Sequence, residues 1–178
     1  AAENRNLRMV AGKVMMDRHA PDELCDNPDN SYSDSKELIE KWHNKGRLRY
    51  AVTPRFAPTS SSSQLKQAAR LLNEYPSDDQ TKGVLLQTHL NENDEEIAWV
   101  NDLFPDSNSY FGVYEDHGIT GNRSVFGHCI HNTEEEYQRM AKTGSKVSLC
   151  PTSNLFLGSG LFELEKLESY GIDVSLAS

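Results

Sequence analysis

The sequence is short of cysteine, of long apolar runs and of positive charge, and each shortage closes off a class of protein. Three cysteines, Cys25, Cys129 and Cys150, stand at irregular spacings in 178 residues. An odd, scattered set is no disulfide framework and predicts reduced thiols in a cytoplasmic protein. No apolar run approaches the roughly 20 residues that cross a bilayer, and no signal peptide is expected. Lysine and arginine number 18 against 27 aspartates and glutamates, a formal net charge of −9. That balance argues against a nucleic-acid backbone or an anionic membrane as the main partner. There is no short solenoid repeat, and the TSSSS run at 59–63 is too brief to be a low-complexity tract. Several chemical signatures are missing too. There is no HExxH helix of the metalloproteases and no PCxxC of the cytidine-deaminase zinc site. Gly158-Ser159-Gly160 fails as a dinucleotide loop because Glu163 stands where the third glycine belongs.

What remains is a soluble-type composition, 37% hydrophobic and 25% charged, long enough for one domain with a sizeable core. A strand followed by a helix recurs along it. Residues 7–16 read as a strand. After a polar excursion, Asp34 is placed to cap a helix over 35–46, with Glu37 at the capping-box position and Gly46 as its stop. Residues 47–54 make the next strand, and Leu65, Ala68, Ala69 and Leu72 mark a helix over 63–75. A strand over 83–89 leads to a helix over 94–104, closed by Pro105. A strand over 123–131 leads to a helix opened by the capping box Thr133/Glu136. Strands over 146–151 and 172–178 flank a last helical stretch, 161–171. Such alternation predicts a parallel sheet covered by helices, as an open doubly wound sheet or a (β/α)8 barrel. Both designs place function at the carboxyl ends of the strands, and there the chain carries TPRF, THLNE, GHCIH and CPTSN.

His89 and Glu92 can serve as a metal ligand and an acid/base group, since an imidazole nitrogen suits zinc. A single histidine near a strand end is more often structural, so the pair gains weight only from its company. Of His128 and His131, the first lies on the strand and is the better candidate; the second reads as a solvent-facing residue ahead of the helix cap. Arg55 can bind an anion or a carbonyl-bearing ring and Phe56 can stack on that ring, although an isolated Arg-Phe pair is more often a rim salt bridge. Met15 and Met16 read as core filling, and His19, His43 and His117 carry no assigned role.

Taken together, VMMDRHAPD, TPRFAPTSS, QTHLNEN, FGHCIH and CPTSNLFLGSGLF resemble guanine deaminase of the amidohydrolase superfamily, in its bacterial form, in order and through essentially the whole chain. The resemblance implies an α/β fold, a (β/α)8 TIM-like barrel of the metal-dependent hydrolase type. It implies zinc-dependent conversion of guanine and water to xanthine and ammonia, in a homodimer that binds neither nucleic acid nor membrane. By the same resemblance His89 is a zinc ligand, Glu92 the proton shuttle, His128 the neighbour of the water that zinc activates, and Arg55 and Phe56 the guanine-contacting pair. The family's metal site also takes an HxH on the first strand and an Asp just after the eighth. This sequence has no HxH, opens at AAENRN without an initiator methionine, and stops at VSLAS. The expectation is therefore a single partial catalytic domain over 1–178, roughly strands 3 to 8, inactive alone. The rival readings are another deaminase or chlorohydrolase of the superfamily, or a non-catalytic doubly wound binding module.

Overall fold

The computed structural model describes residues 1–76 and 82–177. Two short strands, β1 (Met9–Ala11) and β2 (Val14–Met15), precede helix α1 (Pro28–Trp42). Then follow β3 (Leu48–Pro54), α2 (Ser62–Glu74), β4 (Leu85–Leu90), α3 (Asp94–Leu103) and α4 (Tyr110–Asp116). The chain continues through β5 (Ser124–His128), α5 (Glu134–Thr143), β6 (Lys146–Leu149), α6 (Pro151–Leu157), α7 (Leu164–Ser169) and β7 (Val174–Leu176).

Every strand pair is parallel, in the order β1–β3–β4–β5–β6–β7, with β2 also on β3. Parallel neighbours need a crossover, and the helices between them supply it. A doubly wound sheet reverses its strand order at a switch point; here the order never reverses, so the strands form an arc of barrel wall. All carboxyl ends consequently fall on one edge.

The strand expected over 7–16 is interrupted. Met9 pairs with Leu48 and Val14 with Thr53, the same register on both sides of the break. At the break a Cβ on Gly12 would sit 1.7 Å from the Ala51 carbonyl oxygen, so only glycine lets the chain pass so close to β3. Helix α1 also begins earlier than Asp34. Asn27 caps it, accepting from the Asn30 amide at 2.8 Å, and Pro28 occupies the first turn. An Asn-Pro start outranks an interior Asp because it both satisfies an orphan amide and presets φ. The Thr133/Glu136 capping box of α5 forms as the sequence implies. The last strand is shorter than 172–178, and Ser178 lies outside the described residues.

The core lies between the strands and α2, where Leu65, Ala68 and Leu71 are fully buried against Val52, Leu86 and Phe126. Each such leucine contributes about 1.5–3 kcal/mol by leaving water. Tyr110, Phe111 and Tyr114 bring α4 into the same core. Among the described residues no helix is long and apolar enough to cross a membrane.

Candidate active site

The five residues singled out in the sequence meet at the carboxyl edge of the arc. β3 hands over to Arg55 and Phe56, β4 carries His89 and releases Glu92, and β5 ends on His128. The His89 and His128 rings stack with centroids 5.2 Å apart. Phe56 lies 6.1 Å from His89, and the Arg55 guanidinium sits 4.4 Å above the Phe56 ring. Glu92 Oε1 is 3.5 Å from His128 Nδ1. Arg55 is exposed and has no ion pair among the described residues.

The histidine stack needs a backbone departure. In the ladder His89 faces Gly127, while His128 faces Leu90. Regular alternation would send the two imidazoles to opposite faces. His128 instead takes φ +68° and Cys129 φ +53°, turning the ring of His128 to the side of His89. A left-handed non-glycine residue costs about 1–3 kcal/mol and persists only where its surroundings hold it. Asn91, itself at φ +50°, does the holding. Its carbonyl accepts the amides of Ile130 and His131, both at 3.1 Å, and its side chain donates to Asn132 at 2.9 Å and to Glu136 at 3.0 Å. The ends of β4 and β5 are thus joined directly behind Glu92.

His89 is oriented from the neighbouring strand end. Its Nδ1 lies 2.6 Å from the Arg55 carbonyl oxygen, which also accepts the His89 amide at 3.2 Å. With Nδ1–H committed there, Nε2 keeps its lone pair. Burial, opposed in part by the bond to the Arg55 carbonyl and reinforced by His128, holds this imidazole below its ordinary pKa, which favours the neutral form a metal requires. Tyr114 of α4 braces the same corner from beneath. Its hydroxyl accepts the Ala57 amide at 3.0 Å and donates to the His89 carbonyl at 2.7 Å. Desolvation raises its pKa, so it remains a donor.

An imidazole with Nδ1 tied to a backbone carbonyl is the arrangement that aims Nε2 at a metal, so His89 fits as one zinc ligand. Among the described residues no group of three or more His, Cys, Asp or Glu is arranged to hold a metal ion. A catalytic zinc takes three protein ligands, so the remaining donors would have to come from outside the described residues.

The structure adds residues that sequence reading passed over. Asn154 lies against His128, Ser159 against Glu92, and Trp99 edge-on to Phe56 at 6.5 Å. His19 continues this aromatic row, its ring 5.1 Å from Trp99 and its Nδ1 2.8 Å from the Pro58 carbonyl oxygen. His131 does not simply face solvent: its Nε2 donates to the Ser159 carbonyl at 2.8 Å. The polar runs DRHAPD and PTSN were the available signal for His19 and Asn154, whereas Trp99 looked like an ordinary helix residue.

The Escherichia coli guanine deaminase is 52% identical over the whole chain, which spans 39% of that relative. Its solved structure superposes with a TM-score of 0.95, covering 99% of this chain and 40% of the other. Guanine deaminase from C. acetobutylicum, solved with guanine in its active site, is 36% identical with a TM-score of 0.86, over 94% of this chain and 39% of that one. Zinc-bearing atrazine chlorohydrolase from Arthrobacter aurescens shares the fold, at 20% identity and a TM-score of 0.88 over 99% of this chain and 39% of its own. The model of the amidohydrolase family matches residues 1–178. With parallel strands in sequence order and histidines at their carboxyl edge, matched from end to end by that model, the chain belongs to the amidohydrolase family.

Proposed function

We propose that this chain forms the central wall of a guanine deaminase, which converts guanine and water to xanthine and ammonia. The observation that carries the reading is the meeting of Arg55, Phe56, His89, Glu92 and His128 at one edge, contributed by the ends of three successive strands. The 52% identity to the Escherichia coli enzyme supports the choice of substrate.

Arg55 is a donor-only fork and suits the O6 and N7 acceptors of guanine. Adenine would present its amino hydrogens to the same guanidinium, so Arg55 favours guanine. Phe56 offers a ring on which the purine can stack. His89 would contribute one imidazole to a zinc ion, which when bound makes water a stronger acid and nucleophile near neutral pH. Glu92 then takes a proton from the attacking water and returns one to a ring nitrogen as the oxygen adds at C2. The remaining hydroxyl proton of the C2 adduct then passes through Glu92 to the amino group, so that C2=O forms as the C2–amino bond breaks and ammonia leaves, while His128 holds that oxygen against C2. The reading also includes a cytoplasmic location, in keeping with the scattered cysteines, and a homodimer, by resemblance to the family.

The test is turnover in a full-length barrel carrying these residues. Guanine should yield equimolar xanthine and ammonia, whereas adenine and chlorotriazines should be poor substrates. Preferred hydrolysis of a triazine would replace this reading with the chlorohydrolase one.

A further inference from the structure

The stretch Cys150–Gly160 is the most distinctive in the sequence, yet none of its polar side chains has a part in the chemistry above. Two of them lie against the two groups that do. Asn154, on α6, is 1% exposed, and its Oδ1 lies 2.8 Å from His128 Nδ1. Glu92 Oε1 lies 3.5 Å from the same nitrogen. Two acceptors converging on one ring nitrogen assign the proton to Nδ1 and leave Nε2 as a lone pair. The Asn154 amide nitrogen is buried without a partner among the described residues.

Ser159 reaches the other group. Its hydroxyl donates to Glu92 Oε1 at 3.4 Å, its amide donates to the Asn154 carbonyl at 2.9 Å, and its carbonyl accepts from His131. The loop is tightly held: Gly160 has φ +125°, and a Cβ there would meet Ile130 at 3.0 Å. Glu92 Oε1 therefore lies between Ser159 Oγ and His128 Nδ1, while Oε2 has no hydrogen-bond partner among the described residues.

We propose that Asn154 and Ser159 are positioning residues for the deamination. Asn154 holds His128 as the Nδ1–H tautomer, so that Nε2 accepts a hydrogen bond from the attacking water. Ser159 occupies Glu92 Oε1, so that Oε2 is the oxygen that carries the proton between water and the purine ring. The inference rests on the guanine reading and assigns roles to individual atoms within it.

The experiment uses the full-length barrel. Histidine labelled with nitrogen-15 reports the tautomer directly, and a His128→Gln spectrum identifies the His128 signals. The unsubstituted protein should show a protonated Nδ1 and a bare Nε2 at His128; an Nε2–H tautomer or an imidazolium would overturn the proposal without any positioning variant having to fold. Asn154→Leu should lose that tautomer preference and lower kcat about ten- to a hundredfold, with KM for guanine nearly unchanged because Arg55 and Phe56 are untouched. Ser159→Ala should lower kcat in the same way and Ser159→Thr should restore most of it. Folded variants that keep kcat, or that change KM alone, count against the positioning role. If the unsubstituted protein turns over no guanine, the guanine reading fails instead, and the histidine spectrum alone then decides the link between Asn154 and His128.

Discussion

Glu92 follows the strand-end His89 by three residues and, in the fold, borders His128 at 3.5 Å. A carboxylate placed between water and ring is useful only while it can exchange a proton. Glu92→Gln should leave the fold intact and lower kcat by roughly 10²–10⁴-fold, the usual worth of a general acid–base group. Steady-state kinetics on the full-length barrel checks this, and a variant with unchanged kcat would remove Glu92 from the reaction. His89, Glu92 and His128 were legible as candidates because polar residues at the ends of apolar strands are conspicuous. Asn91 was not legible. Its part depends on a φ of +50° and on a partner, Glu136, that lies 45 residues away in the chain. Nothing local announces such a bond.

At the level of elements, helices with a clear apolar stripe or a capping box were easy to place. α4 and α6, each seven residues long, were not. Short helices owe their existence to packing more than to local pattern, and α4 packs through Tyr110, Phe111 and Tyr114, all but fully buried. Tyr114→Phe should therefore cost about 1–3 kcal/mol, because it strands the Ala57 amide and the His89 carbonyl in a dry corner. Urea unfolding would measure it, and an unchanged midpoint would show that the corner is not dry. The turn between α1 and β3 carries a second expectation. His43 accepts the Tyr50 amide at Nδ1 at 3.0 Å and donates from Nε2 to the Lys82 carbonyl at 2.8 Å. Burial holds its pKa below the ordinary value of 6.5. The unfolded chain thus takes up a proton before the folded one does. The stability His43 contributes is complete above about pH 6.5 and is lost as the pH falls toward the depressed folded value. His43→Gln should flatten that part of a stability-versus-pH curve measured between pH 7.5 and 5; a slope unchanged by the substitution would assign it to other groups.

Across the whole molecule, the alternation of strand and helix foretold a parallel sheet but left two ways to order it. Strand order is a long-range property. The choice between wall and doubly wound sheet became visible only in the pairing of β3 with β4, β4 with β5 and β5 with β6. The same view bears on metal. With no cluster of three His, Cys, Asp or Glu arranged for an ion among the described residues, the 178-residue polypeptide expressed alone should not retain stoichiometric zinc after dialysis. Elemental analysis reads this directly, and one tightly held zinc per chain would mean that it completes the site with donors other than those three-residue sets.

The contact between Trp99 and Phe56 also gives the protein an optical handle. Of its two tryptophans, Trp42 closes α1 at the opposite, amino edge of the sheet, flanked by Lys41 and Lys45. Trp99 alone stands beside the ring proposed to carry the purine. In a Trp42→Phe background of the full-length barrel, emission should come largely from the pocket side and change in a saturable way as guanine is added to the Glu92→Gln variant. That titration would report occupancy without turnover, whereas a flat response to saturating guanine would place the purine away from Phe56.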